Sequence, residues 1–193
     1  MSGIIGSRFN MRGSGLVGSL GTDGQIFTSS GAGVGAVFET AAGGGKVLQA
    51  VQATNTTTGS TTTSSFQPLP DDWGVAITCA TTSSRVLVIG TIMMGGTDNF
   101  ILRVVRDSTA IGVGVASSSR PAASVNTRKE DGNTCSTIPF QHLDSPSSTS
   151  ELTYKWEWNA YDGVIWNNRT HSDLDDARGA RGMTSLQVIE IGA

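Results

Sequence analysis

Glycine is spread unevenly along this chain, and the unevenness limits what it can fold into: 13 of its 25 glycines fall within the first 45 residues. They come in pieces such as Gly13-Ser14-Gly15, Gly31-Ala32-Gly33 and Gly43-Gly44-Gly45. The apolar residues between them follow neither a helical stripe nor a sustained strand alternation. Ordering so much glycine costs backbone entropy, and few self-contacts are on hand to offset it. Yet eleven bulky apolar residues stand in this stretch, Val34, Val37 and Phe38 among them, and disordered tails carry few. Residues 1–45 are therefore expected to form an extended Gly-rich arm that docks on a partner or winds with copies of itself. Its anchoring residues are Ile4, Ile5, Phe9, Leu16, Val17, Leu20, Ile26 and Phe27.

From Lys46 the character changes to short β-type runs bounded by turn residues. Strands are expected over Lys46–Ala53, Thr61–Phe66, Gly74–Cys79, Ser84–Met93, Asn99–Arg106, Ser136–Leu143, Glu151–Asn159, Gly163–Asn167 and Thr184–Ile191. Leu152, Tyr154, Trp156 and Trp158 alternate with polar residues, the signature of a half-buried strand. The turn residues Gly95-Gly96-Thr97-Asp98 predict a central hairpin of the two runs that flank them, and Asp162-Gly163 predicts another leading to Val164–Trp166. The polar stretch Ser117–Thr134 reads as a long surface loop of the kind reserved for function or insertion. Many short strands with no helical period between them indicate an all-β, antiparallel jelly-roll sandwich head over residues 46–193.

Charge narrows the partners. Only 15% of residues are charged, the net charge is −3, and no basic cluster exceeds a pair. Nucleic acid is therefore not an expected partner. No basic segment followed by an apolar one opens the chain, and no apolar run nears the ~20 residues of a membrane span. Membrane insertion is not expected, and synthesis in a cytoplasm is. Cys79 and Cys135 read as two separate buried or half-buried thiols, with a single disulfide as the alternative.

Catalytic patterns are scarce. His142 and His171 lack a zinc-binding spacing. His142 sits in an apolar strand as a core or interface residue, and the carboxylates of Asp173, Asp175 and Asp176 read as solvated loop charges in preference to a calcium site. No nucleophile elbow occurs, and Gly31-Ala32-Gly33-Val34-Gly35 has no following Lys-Ser/Thr to make a phosphate loop. The expectation is no enzyme, no cofactor and no metal. The aromatic set Tyr154, Trp156, Trp158, Tyr161 and Trp166 reads first as a core or trimer-axis cluster. Its alternative is a carbohydrate-stacking platform near the Asp162-Gly163 turn, in which Trp158, Tyr161, Trp166, Asn168 and Arg169 contact a receptor or glycan.

The stretches Gly13–Gly33 and Phe38–Gln49 resemble the start of small tail-fibre-like structural proteins of tailed, especially marine, bacteriophages. Ser83–Val88, Leu102–Thr109, Leu143–Pro146 and Ser185–Gly192 are similar to the recurrent head motifs of the same proteins, so the resemblance runs over nearly the whole chain. It implies a virion location after assembly in the host bacterial cytoplasm. It also implies a homotrimer whose head is similar to the trimeric jelly rolls of the C1q and tumour-necrosis-factor type. The arm would join other virion proteins of the tail, baseplate or capsid, and the head would meet a host-surface glycan or protein. A capsid decoration or head fibre is the alternative, and a glycan depolymerase is a third reading, for which no β-helix repeat is present.

Overall fold

The computed structural model describes residues 25–28, 37–40, 46–128 and 131–192. Of the anchoring residues, Ile4, Ile5, Phe9, Leu16, Val17 and Leu20 lie outside these. The chain divides into two units, Met1–Gly44 and Gly45–Ala193. Within the first, β1 (Gln25–Thr28) and β2 (Val37–Thr40) pair antiparallel. Phe27 stands opposite Phe38 with ring centroids 5.1 Å apart, a cross-strand pair of the kind that stabilises short ladders. Ile26 and Phe27 are each about half exposed. This segment of the expected extended arm thus contains a strand pair, too short at four residues per strand to register as a period.

The second unit holds twelve strands among the described residues. They are β3 (Val47–Asn55), β4 (Gly59–Thr61), β5 (Gln67–Pro68), β6 (Gly74–Thr78), β7 (Arg85–Gly96), β8 (Asn99–Arg106), β9 (Thr109–Ile111), β10 (Val125–Arg128), β11 (Ser136–Asp144), β12 (Glu151–Ala160), β13 (Ile165–Asn167) and β14 (Thr184–Ile191). A single 3-10 turn, Pro70–Asp72, separates β5 from β6. All pairings are antiparallel and fall into two sheets. Sheet I runs β10-β8-β12-β6, with β9 and β5 continuing its edges. Sheet II runs β11-β7-β14-β3, with β13 and β4 extending the last two positions. When the eight principal strands are counted in chain order, the sheets read 2-7-4-5 and 1-8-3-6. Successive strands therefore pass repeatedly from one sheet to the other, which is a jelly roll.

Two expected hairpins are absent for one reason. β7 is flanked by β11 on one side and by β14 and β13 on the other, so β8 finds no free edge there and crosses to sheet I. β12 is flanked by β8 and by β6 and β5, so the chain leaving it crosses to sheet II as β13. The Asp162-Gly163 turn does form, with Gly163 at φ +67°, but it links sheets and not paired neighbours. Of Thr61–Phe66 only Thr61 belongs to a strand. The expected loop Ser117–Thr134 contains β10.

The core lies between the sheets. Tyr154, Trp156 and Trp158 of β12 with Phe100, Leu102 and Val104 of β8 face Val86, Val88, Ile92 and Met94 of β7 and Leu186 and Val188 of β14. The alternation along β12 is the reason, since residues two apart share a face. Phe140 of β11 meets the Trp156 indole edge-on at 5.6 Å between centroids, a favourable aromatic geometry. Cys79 is buried and Cys135 half-buried; no disulfide joins them.

Candidate functional site

The open surface of sheet I carries a groove of about 400 Å³ at the start of β8. Its lining converges from four stretches of chain: Asn99 and Ile101 on β8, Asn126 on β10, the loop residues Ser119, Arg120 and Pro121, and Tyr161 just beyond β12. Register brings them together. Asn126 pairs with Ile101 across the β10–β8 ladder, and the Tyr161 amide donates to the Asn99 carbonyl at 3.3 Å. Ile101 is almost fully buried and forms an apolar floor, whereas Tyr161 is 65% exposed. Arg120 is held by a tight turn: Ser117 and Arg120 exchange backbone hydrogen bonds of 3.0 and 3.1 Å. Its Nε and Nη2 also donate to the Ser117 carbonyl and hydroxyl.

Sheet II presents a different outer surface. Rows of side chains cross it from β11 through β7 and β14 to β3: Leu143-Leu87-Ile189-Ala50, then Gln141-Ile89-Gln187-Gln52, then Pro139-Thr91-Ser185-Thr54. None of these twelve carries a charge, and Arg85, at the end of β7, is the nearest charged residue along that strand's outward side. By contrast, the outward side of sheet I bears ion pairs, Arg103 with Glu157 at 2.7 Å and Lys155 with Asp72 at 2.7 Å. There the Arg103 guanidinium also lies 3.9 Å over the Phe66 ring.

Of the residues predicted to contact a receptor or glycan, Trp166 and Arg169 are in contact, but the five do not form one open site. Trp158 is buried on the core side of β12, so its ring is not available to stack on a ligand. Asn168 is fully buried; its amide donates to the carbonyls of Asn55 and Thr57 at 2.9 and 3.0 Å, and its oxygen accepts from the Thr184 hydroxyl at 2.8 Å. Trp166 is capped by the Arg169 guanidinium 3.5 Å over its ring, and Arg169 is itself ion-paired with Asp173. Tyr161 alone of the five is an exposed aromatic lining a groove. Sequence reasoning missed its companions Asn99, Asn126 and Arg120. The signal in the sequence is that two of them, Asn126 and Arg120, lie in the polar stretch Ser117–Thr134.

Two buried polar networks are spent on structure. Arg106 of β8 donates to both oxygens of Asp144 of β11, at 2.8 and 2.6 Å, and the Tyr154 hydroxyl donates to the same carboxylate at 2.8 Å. Burial, reinforced by the hydrogen bond to Asp144 and its charge, pushes the Tyr154 phenol well above its ordinary value. Glu190 of β14 is fully buried and accepts from the Ser84 hydroxyl, the Gln49 amide and the Ala80 backbone N–H at 2.6 to 2.7 Å. Burial alone would raise its pKa, but these three donors outweigh that and hold it below the usual carboxylate value. Burial first, then the charges of Glu190 and Asp144, raise the Cys79 thiol.

Asp173 is bridged by Arg169 and Arg181, and Asp176 by Arg178. His142 is half-buried beside Phe140, their rings 6.4 Å apart. Among the described residues no group of three or more His, Cys, Asp or Glu is placed to hold a metal ion. No helix among them is long and apolar enough to cross a membrane.

No family model matches the chain, and no curated protein matches it. Among solved structures, the chain is similar to the VP2 subviral particle of infectious bursal disease virus, at 10% identity and a TM-score of 0.34. The match covers 91% of this chain and 44% of that one, so the chain spans under half the length of that structure.

Proposed function

We propose that this chain is a non-enzymatic structural protein of a bacteriophage particle, a homotrimeric appendage whose arm over residues 1–45 joins it to the virion and whose jelly-roll head projects toward the host surface. The observation that carries the self-associating part is the uncharged outer surface of sheet II. A monomer in water gains little from a sheet face without charge on which Leu87, Leu143, Ile89 and Ile189 stand among uncharged polar residues, whereas copies packed on it bury that surface and protect the sheet. Four strands at ~4.8 Å spacing and nine residues at ~3.3 Å give roughly 570 Å² in projection. That is the order of the ~800 Å² each partner contributes to a standard interface. The particle assignment draws on the resemblance of the arm and head stretches to tail-fibre-like proteins.

Sedimentation equilibrium of the full chain tests the assembly, with an expected mass three times the 20.0 kDa of one chain. Leu87→Asp and Ile89→Lys place charge on the outer face of sheet II and are expected to yield a folded monomer. A full-length chain that sediments as a monomer at tens of micromolar overturns the reading. Antibody labelling of particles separates an appendage from a capsid decoration by where the label sits.

A further inference from the structure

We propose that the groove between Tyr161 and the Ser117–Arg120 turn is a saccharide-binding site that takes a hexose ring on the Tyr161 face. Its chemistry is that of sugar recognition. A pyranose presents one flank of C–H groups and an equatorial rim of hydroxyls. The groove offers an exposed aromatic face for the first, with Ile101 and Pro121 continuing the apolar surface. For the rim it offers Asn99, Asn126 and Ser119, whose side chains make no hydrogen bond to any described residue and so keep their donors and acceptors for a ligand.

Two further observations favour this class. At about 400 Å³ the groove is the size of a small-molecule site, and a few polar groups over an apolar floor are how such sites fix orientation. Arg120 is set in place before any ligand arrives, because its Nε and Nη2 are tied to Ser117 while Nη1 makes no hydrogen bond to a described residue. That free edge suits a ring hydroxyl or the carboxylate of an acidic sugar. A nucleotide fits less well: one guanidinium is little for two or more phosphates, and Asp98 and Asp162 stand at the neighbouring turn.

The site does not depend on the virion reading: a chain that binds saccharide but stays monomeric keeps this inference and loses the other. The test is saturation-transfer NMR and titration of the full chain with lactose and with 3′-sialyllactose, the neutral and acidic probes. Binding of either at millimolar concentration is expected, with transfer strongest to ring C–H protons. Tyr161→Ala is expected to weaken it about tenfold, the loss of one stacking contact. Arg120→Ala is expected to weaken the acidic probe more than the neutral one. Both residues are solvent-facing, so far-ultraviolet circular dichroism of the variants should match the parent. If neither probe binds at about 10 mM, tenfold above a dissociation constant of ~1 mM, or if binding survives Tyr161→Ala unchanged, the assignment is overturned.

Discussion

Gly90 of β7 lies directly beneath the Trp156 indole of the opposite sheet: a Cβ at Gly90 would stand 3.2 Å from indole Cζ2 and 2.8 Å from Leu186 Cδ2. The glycine is a recess that lets the largest buried side chain seat between the sheets, where Trp156 Nε1 reaches the Ser185 carbonyl at 3.4 Å. Glycine inside a strand weakens it, so close approach is the reason it stands in the middle of the longest one.

Gly90→Ala is therefore expected to destabilise. Relief of glycine entropy favours alanine by about 0.5 to 1 kcal/mol, but overpacking costs about 1 to 3 kcal/mol, because the Ser185 carbonyl at 3.1 Å is backbone and cannot swing away. Urea unfolding followed by tryptophan fluorescence reads the difference. A variant more stable than the parent would mean that the sheets are not seated on each other in this way.

What was legible in the chain, and what was not, follows from range. The Leu152-Tyr154-Trp156-Trp158 alternation sits within one strand, and period two placed all four on the core face. The β7–β8 turn was equally visible, but a turn says that the chain reverses, not which sheet receives it. That choice belongs to β11 and β14, which come after β8, β9 and β10 in the chain and occupy both edges of β7. The groove was illegible for the same reason. Tyr161 drew notice as an aromatic, but Asn126 reaches it only through pairing with Ile101, and β10 is too short at four residues to announce itself.

Tyr154 makes stability depend on alkaline pH. Its phenol is kept neutral in the folded state, with a pKa raised by burial and by Asp144, while in the unfolded chain it ionises near the usual ~10. A raised folded value means that the stabilisation is complete below ~10 and is lost as pH climbs beyond it. Urea midpoints are expected to fall between pH 9 and pH 11 in the parent, values that bracket ~10. Tyr154→Phe should remove much of that slope and cost about 1.5 to 3 kcal/mol at neutral pH, one hydrogen bond to a charged acceptor. Equal slopes in both proteins would refute the assignment.

Glu190 works in the opposite direction. Its lowered pKa stabilises the fold above the ordinary carboxylate range, near ~4.3, and the gain disappears as pH falls through the folded-state value. Glu190→Gln turns one acceptor oxygen into an N–H₂, which then faces either the Gln49 amide donor or the Ser84 hydroxyl and Ala80 N–H donors. The expected loss is about 2 to 4 kcal/mol at pH 7, with a flatter stability profile between pH 5 and pH 3, around the ~4.3 of an unperturbed Glu. Denaturant titration at stepped pH checks both. A substitution neutral at pH 7 would show that the three donors do not hold a charge.

Asn168 separates structure from binding. It sits at φ +59°, a region asparagine tolerates better than most residues, and its amide ties the backbone at Asn55 and Thr57 to Thr184 at the start of β14. Three hydrogen bonds in a fully buried site make Asn168→Ala costly, about 3 kcal/mol, since it strands two carbonyls and the Thr184 hydroxyl and leaves alanine at a positive φ that asparagine tolerates better. Asn168→Gly relieves the backbone but still strands the carbonyls, so it should recover only a fraction of that loss. Neither change touches the Tyr161 groove, and saccharide affinity per folded molecule should match the parent in both. If Asn168→Ala instead lowers affinity while unfolding at the parent's denaturant midpoint, Asn168 contacts the ligand and the groove has been placed on the wrong part of the head.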